Sequence, residues 1–337
     1  MASLEKAVQT QGDDVTMTEN TNHKITLRNG PSTATILPGA GATLASLEVA
    51  GKPVLLPLHG AVEPGAWPAG GMPVCFPFAG RVWHEGKLGA YLPGSMRENK
   101  QEKQRAKPHQ MPLHGFGFSS SWEVESHSES EATLTLKDSI ETQKVFPWRF
   151  TAQLKYSLQP TGIETSLNIR CDEILSGADG ASMPVAPGFH PYFAARHPVD
   201  HCEGYFSFAY DHLEVPALEA IAVTSEGNAG PKKRATDLLP HGPAGIKAPL
   251  HDEKIHNLIF SGLSGRKIAL GQIQLSWTKE SPWRHIVCWA KPEKHFFCVE
   301  PWYGLPDAVH RKDGVMELKE GDSCVFAVAI DVTGAGM

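Results

Sequence analysis

Several signatures are missing from this 337-residue chain. Its six cysteines, at positions 75, 171, 202, 288, 298 and 324, include no Cys-x-x-Cys pair. A chain this long can bury a core without disulfide staples, so free thiols acting as small hydrophobes are expected, above all at Cys288, Cys298 and Cys324 with their apolar neighbours. No apolar run is long enough to cross a bilayer as a helix, so a membrane is not an expected partner. Basic residues are not in excess: 31 Lys and Arg stand against 37 Asp and Glu, a net charge of −6. Nothing therefore draws the chain onto a phosphate backbone, and nucleic acid is not an expected partner.

Helical periodicity is scarce. The charged stretch 98–107 has no apolar stripe and reads as a solvated loop or short surface helix. No repeat of 20–50 residues is visible. Catalytic signatures are also absent. There is no Gly-x-x-x-x-Gly-Lys-Ser/Thr, no Gly-x-Ser-x-Gly and no His-Glu-x-x-His. Gly115-Phe-Gly117 carries only half of a dinucleotide fingerprint and no helical pattern follows it. His197 and His201 are four apart, but Pro198 follows the first and no carboxylate–histidine pattern lies nearby, so no metal ligand is assigned.

What is present is period-two alternation. Phe150, Ala152, Leu154, Tyr156 and Leu158 alternate with polar residues. After Gln159-Pro-Thr-Gly162 the pattern resumes with Ile163, Thr165, Leu167, Ile169 and Cys171. Successive strand side chains face opposite ways, so each run has a buried and a wet face, and the Pro–Gly interval closes a hairpin. Residues 24–28 and 33–37 flank Asn29-Gly30, another hairpin turn. Ile273, Leu275 and Trp277 alternate, with Gly271 read as a bulge. Residues 285–290, 296–300 and 324–332 read as strands, the last central. Residues 226–250, rich in Gly, Pro, Ala and Lys, read as a long surface excursion. Residues 1–22 read as a polar N-terminal tail without the apolar core of a secretory signal, and 333–337 as a short C-terminal tail. The expectation is an all-β chain: one large antiparallel β-sandwich domain over 23–332 with few short helices, in a cytoplasmic protein.

Three segments set polar groups among apolar residues. The first is Met111-Pro-Leu-His114-Gly-Phe-Gly-Phe118, where Gly115 allows close backbone approach. The second is Pro187-Gly-Phe-His190-Pro-Tyr-Phe193, where Pro191 biases His190 toward an extended conformation. The third is Phe296-Phe-Cys-Val-Glu300-Pro-Trp302-Tyr-Gly-Leu-Pro-Asp307, with a carboxylate, Glu300, at the end of an apolar strand. Such a carboxylate is costly unless paired or functional. A hydrogen-bonded core histidine or a structural glutamate is the plain alternative at each position. Together, one acid and two imidazoles suit acid–base chemistry: the carboxylate accepts a proton and an imidazole supplies one, with no cofactor.

In order along the chain, these segments resemble the aldose 1-epimerases (galactose mutarotases) and the related hexose-6-phosphate mutarotases. Gly71-Met-Pro-Val-Cys-Phe-Pro77 resembles the family's Gly-Gly-x-Pro strand, and Gly80-Arg81 its arginine-bearing stretch. Leu113-His114-Gly-Phe resembles its His-Gly signature, and the His190 and Glu300 segments its catalytic ones. The resemblance implies a galactose-mutarotase-like supersandwich and an isomerase that interconverts α and β anomers of an aldohexose. It implies Glu300 as the base at O1, His190 as the acid at ring O5, and His114 orienting the sugar and sharing in protonating O5. Arg81 and Asp252 are then the hydroxyl-binding residues, with no metal and no cofactor. Trp67, Trp83, Tyr192 and Trp302 are available for stacking on a sugar. The small-molecule aldose is the one partner implied, and the chain is a monomer or a homodimer. The phosphate-binding arginines of the hexose-6-phosphate branch are replaced: Phe118 follows Gly117, and Pro68-Ala69 precede Gly70. That favours a neutral aldose. A hexose-6-phosphate 1-epimerase and a non-catalytic carbohydrate-binding protein on the same fold are the alternatives.

Overall fold

The alternating run at 148–174 forms a long hairpin. Trp148–Gln159 pairs antiparallel with Gly162–Ile174, Leu154 facing Leu167, and Pro160-Thr161 makes the turn. The computed structural model describes residues 24–58, 62–63, 65–84, 87–88, 90–91, 109–175, 182–194, 212–243, 245–250, 252–291, 296–311 and 314–334. Residues 1–22 and 335–337, the charged stretch 98–107, and His197, His201 and Cys202 lie outside the described residues.

The hairpin is the centre of a ten-stranded antiparallel sheet. Ser323–Val332 pairs with Gly162–Ile174 on one side and Ile273–Ser276 on the other, the central place its sequence suggests. A second sheet has eight strands. Its middle runs Ala217–Val223, Asn257–Leu263, His285–Lys291 and Phe296–Trp302 in antiparallel neighbours. A four-stranded meander, Ile25 to Pro53, completes the set. It is tied to the long hairpin by the Tyr156 hydroxyl donating to the Ala42 carbonyl at 2.7 Å and the Asn29 amide donating to the Leu158 carbonyl at 2.7 Å. Among the described residues, only two short α-helices occur, Ile140–Val145 and Ala308–Arg311.

Strand parity decides what each face of the eight-stranded sheet does. Phe297 and Val299 point into the core with Ile286, Cys288, Leu258 and Phe260 from the adjacent strands. There they join Leu154, Leu167, Phe326 and Val328 from the ten-stranded sheet. Burying each such side chain contributes about 1.5–3 kcal/mol, which fixes the register because a slip of one residue inverts both faces. The opposite parity, Cys298, Glu300 and Trp302, is thereby turned to the other face of the sheet.

Three local expectations change. Residues 226–250 are not an open excursion: Ala229–Arg234 pairs with Ala217–Val223 as an edge strand, and Gly245–Pro249 pairs with His212–Val215. The Lys-, Arg- and Pro-rich composition of Ala229–Arg234 is that of a protected sheet edge, and it lacks the apolar alternation that marks an interior strand. Gly271 is not a bulge; with Gln272 it forms the two-residue turn between Lys267–Leu270 and Ile273–Ser276. Cys324 is half-buried, whereas Cys75, Cys171, Cys288 and Cys298 are fully buried free thiols. Cys324 is the second residue of its strand.

Candidate active site

Glu300 and His190 face each other across two antiparallel segments. Gly188 pairs with Trp302 and Tyr192 with Cys298, which sets His190 opposite Glu300. Pro191 contributes no N–H, and the ladder breaks there between Gly188–Phe189 and Tyr192–Ala194. The His190 amide donates instead to the Pro73 carbonyl at 3.0 Å. Its Nε2 lies 3.3 Å from Glu300 Oε1. The other carboxylate oxygen of Glu300 accepts the Trp302 indole N–H at 2.9 Å. The His190 ring stacks on Tyr192, 4.7 Å between centroids, and meets Trp67 edge-on at 5.0 Å. Trp67 in turn donates its indole N–H to the Tyr192 hydroxyl at 2.6 Å.

His114 sits at a left-handed φ of 65°. Two bonds with Gly80 hold it there: the His114 amide donates to the Gly80 carbonyl at 3.0 Å, and the Gly80 amide donates to His114 Nδ1 at 3.0 Å. An Nδ1 that accepts leaves the proton of the neutral ring on Nε2, so His114 offers the cavity an N–H donor. Gly115 follows at φ 75°, and a Cβ there would stand 2.0 Å from the Phe76 carbonyl oxygen. The His-Gly pair is thus the form that lets the backbone run against the Phe76 strand and aim an imidazole inward.

Burial governs the electrostatics. It pushes the His114 ring down to about 3, with the Arg81 charge adding to the effect. It also holds His190 well below an ordinary histidine, helped by neighbouring His114. The same burial raises the Glu300 carboxyl well above the usual carboxylate range, against the pull of the Trp302 N–H. Either charge alone is expensive at this depth, so His190 and Glu300 behave as a pair sharing one proton.

These groups line a cavity of about 300 Å³, within the size range of small-molecule sites. Arg81, His114, His190 and Glu300 all contribute to it. Asp252 does not: its Oδ1 accepts the Lys254 amide at 3.0 Å and caps the short turn Glu253–Ile255. Asn257, five residues on, reaches the cavity from the first position of its strand. The charged neighbourhood of Asp252 drew attention there; the strand parity that turns Asn257 inward is visible only once the sheet is assembled. Trp67, Tyr192 and Trp302 are lining residues and Trp83 is not.

Two features have no role assigned from the sequence. The turn at Thr224–Gly227 lies against Arg81, where a Cβ on Gly227 would be 2.7 Å from the arginine Cδ and Nε. Asp307, at φ 63°, clamps the arginine's own segment: its amide donates to the Arg81 carbonyl at 2.7 Å and its Oδ1 accepts the Trp83 amide at 2.8 Å. As a potential metal-binding group, the ligand atoms of His190, Cys298 and Glu300 lie within 4.8 Å of one another.

Comparison with known proteins agrees with this architecture. The structure is similar to a galactose mutarotase-like protein from Lactobacillus casei, at 23% identity and a TM-score of 0.70, covering 92% of this chain and 100% of that one. It is also similar to a galactose mutarotase related enzyme from Lactobacillus acidophilus, at 20% identity and a TM-score of 0.69, covering 93% and 98%. An aldose epimerase homologue from C. elegans aligns at 18% identity and a TM-score of 0.60, covering 92% and 98%. No curated protein sequence matches. The sequence pattern of aldose 1-epimerases matches residues 23–319, and the chain belongs to the aldose 1-epimerase family.

Proposed function

We propose that this protein is an aldose 1-epimerase that interconverts the anomers of a neutral aldohexose by acid–base ring opening. The observation that carries the reading is the 3.3 Å approach of His190 Nε2 to Glu300 Oε1 beside a sugar-sized cavity. Burial favours the neutral form of the pair, with the shared proton on Glu300; the reactive form is the one in which that proton has passed to His190, so that Glu300 is a base and His190 an acid. Glu300 takes the proton from the anomeric O1 hydroxyl while His190 delivers one to ring O5. The C1–O5 bond breaks and an aldehyde forms at C1. After rotation about C1–C2, the reverse transfers close the ring on the other face. The pair begins and ends with one proton, so no net proton is drawn from solvent at any step. The His114 N–H donor orients the sugar and supports the developing charge at O5.

Arg81 is the sole Lys or Arg among the described residues lining the cavity. Phe118, where the hexose-6-phosphate branch carries arginine, packs edge-on against Trp67 at 4.8 Å. One guanidinium with hydroxyl and amide neighbours suits a neutral polyol better than a phosphate dianion. The test is anomer exchange, by polarimetry and NMR, for a panel of neutral aldoses and their 6-phosphates. Acceleration for neutral sugars is expected. Acceleration confined to 6-phosphates assigns the other branch, and saturable binding without acceleration assigns a binding protein. No helix among the described residues is long and apolar enough to cross a membrane, and we propose a cytoplasmic location.

A further inference from the structure

Cys298 is two residues before Glu300 on the same strand and shares its face of the sheet. It is fully buried, and it pairs in register with Tyr192, on whose ring His190 stacks. The acid–base reading gives this thiol no task. Its sulfur, an imidazole nitrogen of His190 and a carboxylate oxygen of Glu300 all lie within 4.8 Å of one another.

We propose that His190, Cys298 and Glu300 form a three-ligand site for Zn²⁺, or a softer thiophilic cation, whose occupancy reversibly shuts the cavity's acid–base pair. A tetrahedral centre with metal–nitrogen and metal–oxygen bonds of about 2.0–2.1 Å separates those donors by about 3.3 Å. The His190 Nε2 to Glu300 Oε1 distance is 3.3 Å, so two of the three ligands already stand at the required spacing. Sulfur among the ligands selects against Mg²⁺ and Ca²⁺, which take oxygen, and for zinc and its softer relatives. Charge balances as well: a dication with one thiolate and one carboxylate is neutral, as a buried floor requires. Binding forms Zn–S, Zn–N and Zn–O bonds and releases two protons, one from the thiol and one from the His190–Glu300 pair. The fourth position faces the cavity and takes water.

The shell behind the ligands is uneven. Glu300 is supported by the Trp302 N–H, but His190 Nδ1 has no hydrogen-bond partner among the described residues. Missing outer partners weaken metal sites by roughly 10–100-fold, which makes this a reversible site that a chelator empties. Metal binding itself is independent of the sugar chemistry; the inhibitory consequence rests on the proposed function.

The test uses the full chain stripped of metal by dialysis against a chelator. Co²⁺ is the spectroscopic probe and Zn²⁺ the competitor. Expected are strong tetrahedral d–d bands and a near-ultraviolet thiolate-to-cobalt charge-transfer band, both removed by Zn²⁺. The charge-transfer band disappears in Cys298→Ser and Cys298→Ala and persists in Cys171→Ala, a buried cysteine in the core beneath the other sheet. Zn²⁺ is expected to slow anomer exchange at least tenfold, with recovery on adding chelator. Absence of the charge-transfer band in the wild-type protein overturns the site, as does its survival in both Cys298 variants. If the metal-free protein shows no anomer exchange for any sugar, the proposed function fails while the cobalt spectrum still decides the metal site.

Discussion

His190 and Glu300 are cross-strand counterparts: the register that pairs Gly188 with Trp302 and Tyr192 with Cys298 sets one directly against the other. Residues 110 positions apart in the sequence are therefore held by sheet geometry and not by a flexible loop. Pro191 removes a ladder hydrogen bond at that point, and the His190 amide turns to Pro73. The imidazole is left facing Glu300 with its ring braced by Tyr192 and Trp67. Strands thus preorganise a carboxylate–imidazole pair, placing the groups more rigidly than loops do.

Glu300→Gln is the direct test of the base. The amide keeps the shape and can still accept the Trp302 N–H, so the fold and sugar binding should survive. It cannot take a proton from O1. We expect kcat to fall by roughly 10²-fold or more with KM little changed, measured by NMR exchange between anomers. Wild-type turnover in this variant removes Glu300 from the mechanism.

His114 makes a prediction about stability against pH. Its folded-state value is about 3, against about 6.5 in the unfolded chain. Between those values the unfolded state binds a proton that the folded state refuses. The stability contribution is therefore fully present above pH 6.5 and is lost as pH falls toward 3, by about 1.4 kcal/mol per pH unit. Asparagine tolerates the left-handed backbone and does not titrate. Urea midpoints of wild type and His114→Asn should converge as the pH is lowered from 7 to 4. Parallel curves would mean that His114 is not held neutral by its burial.

Much of this molecule is legible without coordinates. The hairpins at 25–37 and 148–174 follow from alternation plus turn residues, because period two has one structural meaning. Glu300, His190 and His114 stand out as polar groups that an apolar, proline-fixed setting cannot hold without a partner. Arg81 is legible only through resemblance to the family. Asn257 and Asp307 were out of reach for a physical reason. Asn257 is selected by which face of its strand the assembled sheet turns to the cavity. Asp307 acts through backbone bonds to Arg81 and Trp83, more than 220 residues away. Edge strands such as Ala229–Arg234 carry charge and proline in place of alternation, so periodicity passes over them.

Gly115→Ala should be severely destabilising. The residue has φ 75° and its added methyl would meet the Phe76 carbonyl at 2.0 Å. That carbonyl accepts both the Phe116 and Gly117 amides, at 2.8 and 3.0 Å, so it cannot move aside without breaking them. Adding left-handed strain to a backbone clash, we expect a loss of about 3 kcal/mol or more, read from urea denaturation. A loss below 1 kcal/mol would mean that this crossing of segments is loose.

Asp307 and Arg81 should behave as one unit. Asp307 holds the carbonyl of Arg81 and the amide of Trp83, the two ends of the tripeptide that carries the guanidinium, and its carboxylate also accepts from His310 Nδ1 at 2.6 Å. Asp307→Gly deletes the carboxylate but keeps the left-handed backbone; Asp307→Asn keeps an acceptor oxygen as well. If the carboxylate works by aiming Arg81 at the sugar, Asp307→Gly raises KM about tenfold, equivalent to ~1.4 kcal/mol, and leaves kcat within a small factor. Asp307→Asn should restore most of that loss. In an Arg81→Ala background the Asp307→Gly penalty should vanish, since two residues acting through one contact are not additive. A general loosening of the fold gives a different pattern: additive penalties in the double variant, kcat falling together with KM rising, and a lower melting temperature in each single variant. The double-mutant cycle therefore separates positioning from mere support, with Arg81 itself as the control.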